Sequence, residues 1–299
     1  MSGLAIVVIG RSGQLALALQ ANPGPHRLIP LSRPQVDLAD PGNLEPALRA
    51  AQPDVIINAA AYTDVDGAET HSELNAAINA GGPVALSTIA AELGTPLIHI
   101  STDYVFDGTL GRPLTEADTP NPLSAYGEAK LAGEALLDVH PNAAVLRTAG
   151  LVSPAGRNFL TTILRLARDR DSLNIVANQT LTPTSADDLA TAVLKVAENL
   201  TARPDPDLRG IFHAAGAGPL SWADFARAIF DASARAGGPT ANCHDIPAAD
   251  WPSPAQRPAD SRLDSSRLAT HHGARLADIR TRLDDLVRRA LVAERKTTR

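Results

Sequence analysis

A tyrosine and a lysine near the middle of the chain carry the strongest chemical signal in this sequence. Tyr126 and Lys130 stand four residues apart, a spacing at which two side chains share one face of a helix. A cation beside a phenol favours the phenolate and lowers the phenol pKa from its ordinary value of about 10. Such a tyrosine is suited to protonate the oxygen of a carbonyl that is being reduced. Tyr–Lys pairs at this spacing also occur on helix surfaces, so the interpretation needs support from other residues.

A hydroxyl-rich segment, Ser101 to Gly108, comes before this pair and begins where a predicted buried strand ends. The hydroxyl of either Ser101 or Thr102 could donate a hydrogen bond to the same carbonyl oxygen and polarise it. The strand end and the Tyr–Lys helix together favour a reductase over an unrelated helix-surface pair.

A glycine-containing turn joins the first predicted strand to the first predicted helix. Its sequence is Gly10-Arg11-Ser12-Gly13-Gln14-Leu15-Ala16. Glycines at such a junction let the backbone approach a pyrophosphate, whose charge is stabilised at the helix N-terminus. The turn alone is a weak signal, but its place at the first strand–helix junction favours a dinucleotide.

The end of the second predicted strand bears on which dinucleotide binds. An NAD site usually has an acidic residue there for the ribose 2′-hydroxyl, whereas this strand ends Leu31-Ser32-Arg33. A hydroxyl and a guanidinium suit a 2′-phosphate. We therefore predict NADPH as the cofactor, with NADH as the alternative and a solvated loop arginine as the non-functional interpretation.

The elements that must position these residues alternate between β-branched runs and Ala/Leu-rich stretches. This pattern predicts an α/β fold with a doubly wound parallel sheet, covered by helices on both faces. We predict a dinucleotide-binding domain over 1–150 and a smaller, mixed α/β substrate domain over 151–299, between which the chain could cross. The predicted strands are 4–9, 26–31, 54–58, 96–101, 143–147, 173–177 and 210–213, and the later helices are 158–167, 185–199, 221–235 and 276–293.

Composition excludes several classes of protein. The 299 residues carry a net charge of −6 and contain no basic block, which argues against nucleic-acid and anionic-membrane partners. A single cysteine, Cys243, excludes an internal disulfide framework and suits a reducing compartment. The N-terminal apolar run is too short for a signal peptide or a membrane span, so we expect a cytoplasmic protein.

These motifs together resemble the extended short-chain dehydrogenase/reductases, and within them the enzymes that reduce nucleotide-linked 4-keto-6-deoxy sugars. The resemblance covers nearly the whole chain. The segments that carry it are GQL at Gly13, NAAAYTDVDGAE from Asn58, STDYVFDG from Ser101, YGEAKLAGE from Tyr126, and the later pairs Arg147-Thr148, Asn158-Phe159, Pro183-Thr184, Ser221-Trp222 and Arg257-Pro258. It implies a Rossmann-type fold and hydride transfer from a reduced nicotinamide to the C4 carbonyl of a dTDP-linked sugar.

The resemblance also implies a role for individual residues. Tyr126 would protonate the carbonyl oxygen, Lys130 would bind the nicotinamide ribose, and Thr102 would polarise the substrate. The implied cofactor residues are Gly10, Ser12, Gly13, Gln14 and Leu15 at the pyrophosphate, Ser32 and Arg33 at the 2′-phosphate, Asp37 and Leu38 at the adenine, and Ala59, Ala60 and Ala61 along the groove. The implied substrate residues are Thr102, Asp103, Tyr104, Asn158 and Arg257, the last two near the diphosphate.

Three positions depart from the pattern of that family. A tryptophan that usually follows the Arg-Thr pair is replaced by Ala149-Gly150-Leu151, and a glycine after Asn178-Gln179-Thr180 is replaced by Leu181. Both changes lie on the predicted substrate side. The position of a glutamate that helps bind magnesium in some dimeric members is Ala18, whose methyl group cannot ligate a cation. We therefore predict no metal, and a monomer or a metal-free homodimer.

Several residues receive structural interpretations. Asp66 and Glu69 have the spacing of a capping box and are predicted to start a helix. His213 is predicted to be buried packing. His271-His272 and Cys243 are predicted to lie in polar loops without a metal-binding or catalytic role.

Two other functions remain open from sequence. A nucleotide-sugar epimerase would use the same residues but keep its NAD tightly bound. A cofactor-binding regulatory subunit would share the fold without catalysis, although binding alone does not require Tyr126 and Lys130 together.

Overall fold

The computed structural model describes residues 3–297 as an α/β fold built on one large parallel sheet. The strands are β1 (Ala5–Ile9), β2 (Arg27–Leu31), β3 (Val55–Asn58), β4 (Leu97–Thr102), β5 (Ala143–Thr148), β6 (Leu151–Val152), β7 (Ser172–Val176), β8 (Thr180–Leu181), β9 (Thr184–Ser185), β10 (Gly210–His213), β11 (Leu220–Ser221) and β12 (Asn242–Ile246). The helices are α1 (Gln14–Ala21), α2 (Leu44–Ala51), α3 (Val65–Ala68), α4 (Ser72–Ala76), α5 (Gly82–Leu93), α6 (Ala125–Gly133), α7 (Leu136–Val139), α8 (Phe159–Leu166), α9 (Ala186–Ala202), α10 (Trp222–Arg235), α11 (Ser266–His272) and α12 (Leu283–Thr297).

The large sheet has six strands in the order β10-β5-β4-β3-β1-β2, and every neighbouring pair is parallel. The chain moves outward from β1 to β2 and then returns to β3 on the other side. In such sheets the point where the order reverses leaves a crevice at the carboxyl ends of the strands, which binds ligands. The predicted doubly wound parallel sheet is confirmed.

Side chains on β1 explain why helices cover both faces of the sheet. Successive residues of a strand point to opposite faces. Ile6 and Val8 belong to a core shared with α1 and α9, while Val7 and Ile9 belong to a second core shared with α2 and α5. All four are nearly fully buried. A strand that is apolar on both faces is therefore stable only at the centre of a three-layer structure.

A second, smaller layer forms after β5. Helices α8, α10 and α12 pack around a separate core that includes Phe225, Ile229 and Leu286, beside the parallel pair β7–β12. The chain also returns to the first layer, because β10 pairs with β5 and α9 packs on the core beside α1.

The structure corrects two of the predicted loops. Cys243 lies in β12, where it pairs with Leu173 of β7, and this strand was missed because its burial pattern is mostly exposed or intermediate. His271 and His272 form the last turn of α11. The ring of His272 is buried against Phe212, so helix packing explains it. His213 is buried, as predicted.

Helix boundaries differ where the local signal is weak. The last helix, expected from Leu276, begins at Leu283 after a short 3₁₀ turn. No helix in the described range 3–297 has the length and apolar character needed to cross a membrane.

Candidate active site

The turn after β1 forms a cradle at the crevice of the sheet. Gly10 has a φ of +112°, in the region that favours glycine, and its N–H donates to Leu31 O at 2.7 Å. A Cβ atom at Gly10 would lie 3.4 Å from the backbone carbon of Ala59. Helix α1 then begins at Gln14, after the N-cap Gly13, with no capping side chain and no acidic residue in its first turn. The backbone N–H groups at this helix N-terminus lie at the groove, since Gly13 lines it, and such a site fits the pyrophosphate of a dinucleotide.

A cavity of about 490 Å³ opens at this turn. It brings together residues predicted for the pyrophosphate, the 2′-phosphate, the adenine and the wall of the groove: Gly10, Ser12, Gly13, Ser32, Arg33, Asp37, Leu38, Ala59, Ala60 and Ala61. No acidic residue follows Leu31 directly, so the hydroxyl and guanidinium of Ser32 and Arg33 occupy this end of the cavity. The chemistry of this donor set fits a 2′-phosphate.

A second cavity of about 440 Å³ continues from the first and shares Ser12, Gly13 and the three alanines with it. Its remaining walls include the predicted reacting groups and the start of the second layer: Gln14, Leu15, Thr102, Asp103, Tyr104, Tyr126, Lys130, Gly150 and Asn158. The predicted cofactor and catalytic residues therefore line one continuous groove at the sheet edge.

Helix α6 supplies the tyrosine and the lysine, and its start is well defined. Ser124 is its N-cap, and the hydroxyl accepts a hydrogen bond from the backbone N–H of Gly127 at 3.2 Å, as an N-cap does. A side chain at Gly127 would overlap the carbonyl oxygen of Tyr104. Glycine at this position thus lets α6 lie directly against the segment after β4.

The charged end of Lys130 is turned into the protein. Its Nζ donates to the carbonyl oxygen of Ile100 at 2.6 Å and lies 3.2 Å from Nε2 of His99. Burial lowers the pKa of Lys130 to about 8, although the negative charge of Glu134 opposes the shift. The lysine is therefore a cation that can lose its proton near neutral pH.

The phenol of Tyr126 behaves differently from the prediction. Burial raises its pKa, and only the hydrogen bond with Thr102 opposes that shift to a notable extent. The expected lowering of this pKa by Lys130 is wrong for this structure, because the Nζ atom is bound to Ile100 and His99. A protonated phenol at neutral pH is nevertheless the form that can give a proton to a carbonyl oxygen.

The hydroxyl of Thr102 lies between Tyr126 and a buried carboxyl group. It donates to Oδ1 of Asp103 at 3.1 Å and accepts from the N–H of Tyr104 at 3.2 Å. Burial raises the pKa of Asp103 to about 6, even though hydrogen bonds from Ser261 and Thr102 lower it. Ser101 also lines this groove, but its hydroxyl donates to Oε1 of Glu134 at 2.6 Å. Of the two hydroxyls left open by the sequence, Thr102 is the one that is hydrogen-bonded with Tyr126.

Arg257 and Asp66 connect the two layers. The guanidinium Nη2 lies 3.0 and 3.1 Å from the two carboxylate oxygens of Asp66, and Asp66 also accepts from Ser253 at 2.8 Å. Burial alone would raise the pKa of Asp66, but the bonds from Ser253 and Arg257 lower it below its ordinary value.

The predicted capping box is wrong. Asp64 is the N-cap of α3 and accepts from the N–H of Gly67. Asp66 is free of that task because its side chain points to Arg257. Glu69 accepts from the N–H of Ala125 at 3.0 Å, which ties α3 to the start of α6.

Asn158 lines the second cavity but is engaged in local structure. Its side chain caps α8 by accepting from the N–H of Thr161 at 3.1 Å, and it donates to Ser153 O at 3.0 Å. Its predicted contact with a diphosphate stays a prediction.

Comparison of the sequence with known proteins shows which family this chain belongs to. The sequence model of the family described as "RmlD substrate binding domain" matches residues 4–292. The dTDP-4-dehydrorhamnose reductase of Sinorhizobium fredii is 45% identical over 273 residues, which span 91% of this chain and 92% of that protein. The chain belongs to the dTDP-4-dehydrorhamnose reductase family.

Solved structures of this reductase family are also similar. The dTDP-4-dehydrorhamnose reductase of Clostridium acetobutylicum has a TM-score of 0.86 and 35% identity, covering 94% of this chain and 98% of that one. The Bacillus anthracis dTDP-4-dehydrorhamnose reductase, solved in complex with NADP, has a TM-score of 0.86 and 29% identity, covering 94% and 97% of the two chains. The predicted family is confirmed.

One aromatic residue near the groove was not recognised from sequence. Trp222 lines a further cavity of about 390 Å³, which also contains Tyr104, Phe159 and Arg257. Its ring packs on Phe159 with centroids 4.7 Å apart. The sequence signal that could have revealed Trp222 is Ser221, the N-cap of α10. A residue that directly follows an N-cap is the first residue of its helix, and here that residue lines the cavity.

The two substrate-side departures from the reductase family pattern are in contact. Gly150 has a φ of +51°, and a Cβ atom there would lie 2.5 Å from Cδ1 of Leu181. Both residues line the same cavity as Trp222. The leucine therefore fills the space beside Gly150, and the two departures lie next to each other in the wall of one cavity.

Proposed function

We propose that the protein transfers a hydride from NADPH to the C4 carbonyl of a dTDP-4-keto-6-deoxy sugar, converting dTDP-4-dehydrorhamnose to dTDP-L-rhamnose. The observation that carries the proposal is the continuous groove in which Thr102, Tyr126 and Lys130 follow the glycine turn. The names of its relatives, up to 45% identical, supply the substrate. The NADP bound to the Bacillus anthracis reductase supports the cofactor.

The residues of this chain would divide the reaction among them. Reduced nicotinamide supplies the hydride when the cofactor is bound. Tyr126 gives its proton to the C4 oxygen, which burial of the phenol favours by keeping that proton in place at neutral pH. Thr102 would turn its hydroxyl hydrogen from Asp103 to the same oxygen and hold it by a hydrogen bond. Lys130 would hold the nicotinamide ribose through its ammonium group.

The substrate would extend from these groups into the second layer. Arg257 suits a diphosphate because its guanidinium makes two parallel bonds to phosphate oxygens, and Asp103, Tyr104 and Asn158 would contact the sugar nucleotide. We infer the same division along the chain, with cofactor binding in 1–150 and sugar-nucleotide binding in 151–299. The contribution of α9 and β10 to the first layer is an exception to that division.

The decisive experiment follows NADPH oxidation spectrophotometrically with dTDP-4-keto-6-deoxy-L-mannose. The expected result is oxidation of one NADPH for each sugar reduced, with weaker activity on the UDP-linked sugar and with NADH. Absence of oxidation with every 4-keto sugar nucleotide would contradict the proposal. Purification with tightly bound NAD and no net NADPH consumption would indicate an epimerase.

We also propose that the enzyme works in the cytoplasm, without nucleic-acid partners, as a monomer or a metal-free homodimer. Ala18 is buried in the core that α1 shares with α9, so that position offers no ligand to a surface cation. Sedimentation velocity with Mg²⁺ and with EDTA should give the same molecular mass. A mass that doubles only with Mg²⁺ would contradict this assembly.

A further inference from the structure

A histidine lies directly behind the candidate catalytic lysine. His99, on β4, is 1% exposed, and its Nε2 is 3.2 Å from Nζ of Lys130. Its Nδ1 is 3.0 Å from Nδ2 of Asn58, at the end of β3. Asn58, His99 and Lys130 thus form a buried row that leads from the sheet to the groove.

The backbone fixes the direction of the first hydrogen bond in this row. The N–H of Ala60 donates to Oδ1 of Asn58 at 3.2 Å, and a backbone N–H has no other role than donor. The other end of the amide is therefore the NH₂ group, which only donates. It follows that Nδ1 of His99 is the acceptor, and a neutral ring must carry its proton on Nε2.

That proton points at Lys130. An ammonium group has three N–H bonds and no lone pair, so it cannot accept from Nε2–H. A neutral amine can accept this bond and still donate to Ile100 O, 2.6 Å away. The row of hydrogen bonds is complete only when Lys130 has lost its proton.

We propose that His99, oriented by Asn58, is a positioning residue that shifts Lys130 toward its neutral form and so sets the pH at which the enzyme loses activity. The inference rests on the proposed reductase function, in which the ammonium form of Lys130 holds the nicotinamide ribose. Two observations agree with it. The pKa of His99 is well below its ordinary value because of burial and the charge of Lys130, so the ring stays neutral. The pKa of Lys130 is lowered to about 8 by burial.

Other ionisable groups around Lys130 do not supply the same effect. Glu134, at the end of α6, raises its pKa, and that carboxylate is paired with Arg147 of β5 at 2.6 Å. Tyr126 on α6 and Asp103 after β4 line the same groove as the lysine, but neither contributes to the shift of its pKa. Among the residues that the structure describes, His99 is the side chain within hydrogen-bonding distance of Nζ that can donate to it.

The tautomer can be measured in the unmodified protein. Long-range ¹H–¹⁵N correlation spectra of protein labelled with ¹⁵N-histidine distinguish a protonated Nε2 from a protonated Nδ1. The His99 signals are assigned by their loss in His99→Gln. We expect a neutral ring protonated on Nε2 throughout the pH range in which the protein is folded. A ring protonated on Nδ1 would overturn the proposal, whether or not the protein is a reductase.

The functional consequence is tested by reversing the tautomer. In Asn58→Asp the carboxylate still accepts from Ala60 N–H but cannot donate, so His99 must carry its proton on Nδ1. Nε2 then accepts from the Lys130 ammonium, and we expect the basic limb of the kcat/KM profile to move up by about one pH unit. The Kd for NADPH, measured separately, reports any disturbance of the cofactor groove.

A double variant separates the effect of the His99 tautomer from the effect of the new carboxylate charge. Asn58→Asp/His99→Leu carries the same new carboxylate but no ring to relay its effect, and its basic limb should lie within about 0.3 units of that of His99→Leu alone. An equal shift with and without the ring, or no shift in Asn58→Asp, would overturn the proposal. If no 4-keto sugar nucleotide is reduced at all, the proposed function fails while the NMR result still decides the tautomer.

Discussion

Tyr126 is the residue on which the proposed chemistry depends most directly. Its ring is held edge-on by Tyr104, with centroids 5.8 Å apart, and this packing does not need the hydroxyl. We expect Tyr126→Phe to lower kcat by about 10²–10⁴-fold, the usual effect of losing a general acid, while the Kd for NADPH stays within twofold. Tyr62→Phe is the matched control, since within residues 3–297 that hydroxyl has one hydrogen-bonding partner, His71, in an exposed contact at 3.5 Å. Full turnover in Tyr126→Phe would exclude the tyrosine as the acid.

The raised pKa of Asp103 predicts how the stability of the protein depends on pH. Burial raises its pKa to about 6 in the folded protein, whereas the unfolded value is about 3.9. Between these values the folded state holds more protons, so the contribution of this group to stability falls as pH rises from about 4 to 6. We expect the free energy of unfolding of Asp103→Asn, relative to the unchanged protein, to increase over that window. Urea titrations at several pH values would measure it, and a constant difference would show that Asp103 ionises normally.

Helix α6 is the element whose position decides whether Tyr126 and Lys130 lie beside the segment that follows β4. Gly127 lies against the carbonyl oxygen of Tyr104, where a Cβ atom would overlap. Gly127→Ala should therefore push α6 away from β4, destabilise the protein by about 1–3 kcal/mol, and reduce kcat because Tyr126 and Lys130 move with the helix. Thermal unfolding and steady-state rates would measure both effects.

Gly81 provides the control for this substitution. It has a helical φ of −63°, and a Cβ atom there would lie 4.0 Å from its nearest neighbour, Ala76 O. Gly81→Ala should leave kcat unchanged and stabilise the protein by about 0.4–1 kcal/mol, the usual gain at a compatible site. Equal changes in kcat and stability in the two variants would mean that neither depends on the close approach of α6 to Tyr104.

The same elements explain what the sequence could predict. The bounds of α10 were predicted to within one residue, because the N-cap Ser221 before it and an apolar stripe within it are local signals. Strand β12 was missed, because it is stabilised by β7, about 70 residues earlier in the chain. The bond between His99 and Lys130 was also missed, because it joins a strand to a helix and depends on where α6 lies.

At the scale of the whole molecule, the groove lies between a layer that is rigidly defined by the sheet and a smaller layer built on α8, α10 and α12. The alternation of β-branched runs with Ala/Leu-rich stretches was enough to predict the first layer. The second depends on contacts among Phe159, Trp222 and Phe225, whose partners have no regular spacing in the sequence. The cofactor side was therefore predicted in more detail than the substrate side.

The ion pair between Asp66 and Arg257 bridges these two layers beside the cavity that contains Trp222. Because the carboxylate fixes the guanidinium in one orientation, its loss should weaken binding of the nucleotide diphosphate more than the chemical step. We expect Asp66→Asn to raise KM for the dTDP-linked sugar by about 5–20-fold, with kcat and the Kd for NADPH changed less than twofold.

Two further variants test whether this effect passes through Arg257. In an Arg257→Lys background, whose ammonium lacks the planar fork of the guanidinium, the additional effect of Asp66→Asn on KM should largely disappear, because coupled residues are not additive. Asp284→Asn removes an exposed partner of Arg235 far from the cavity and should leave KM unchanged. Fully additive effects of Asp66→Asn and Arg257→Lys would mean that Asp66 acts on the substrate side independently of the arginine, through the segment that it holds at Ser253 and Ala255.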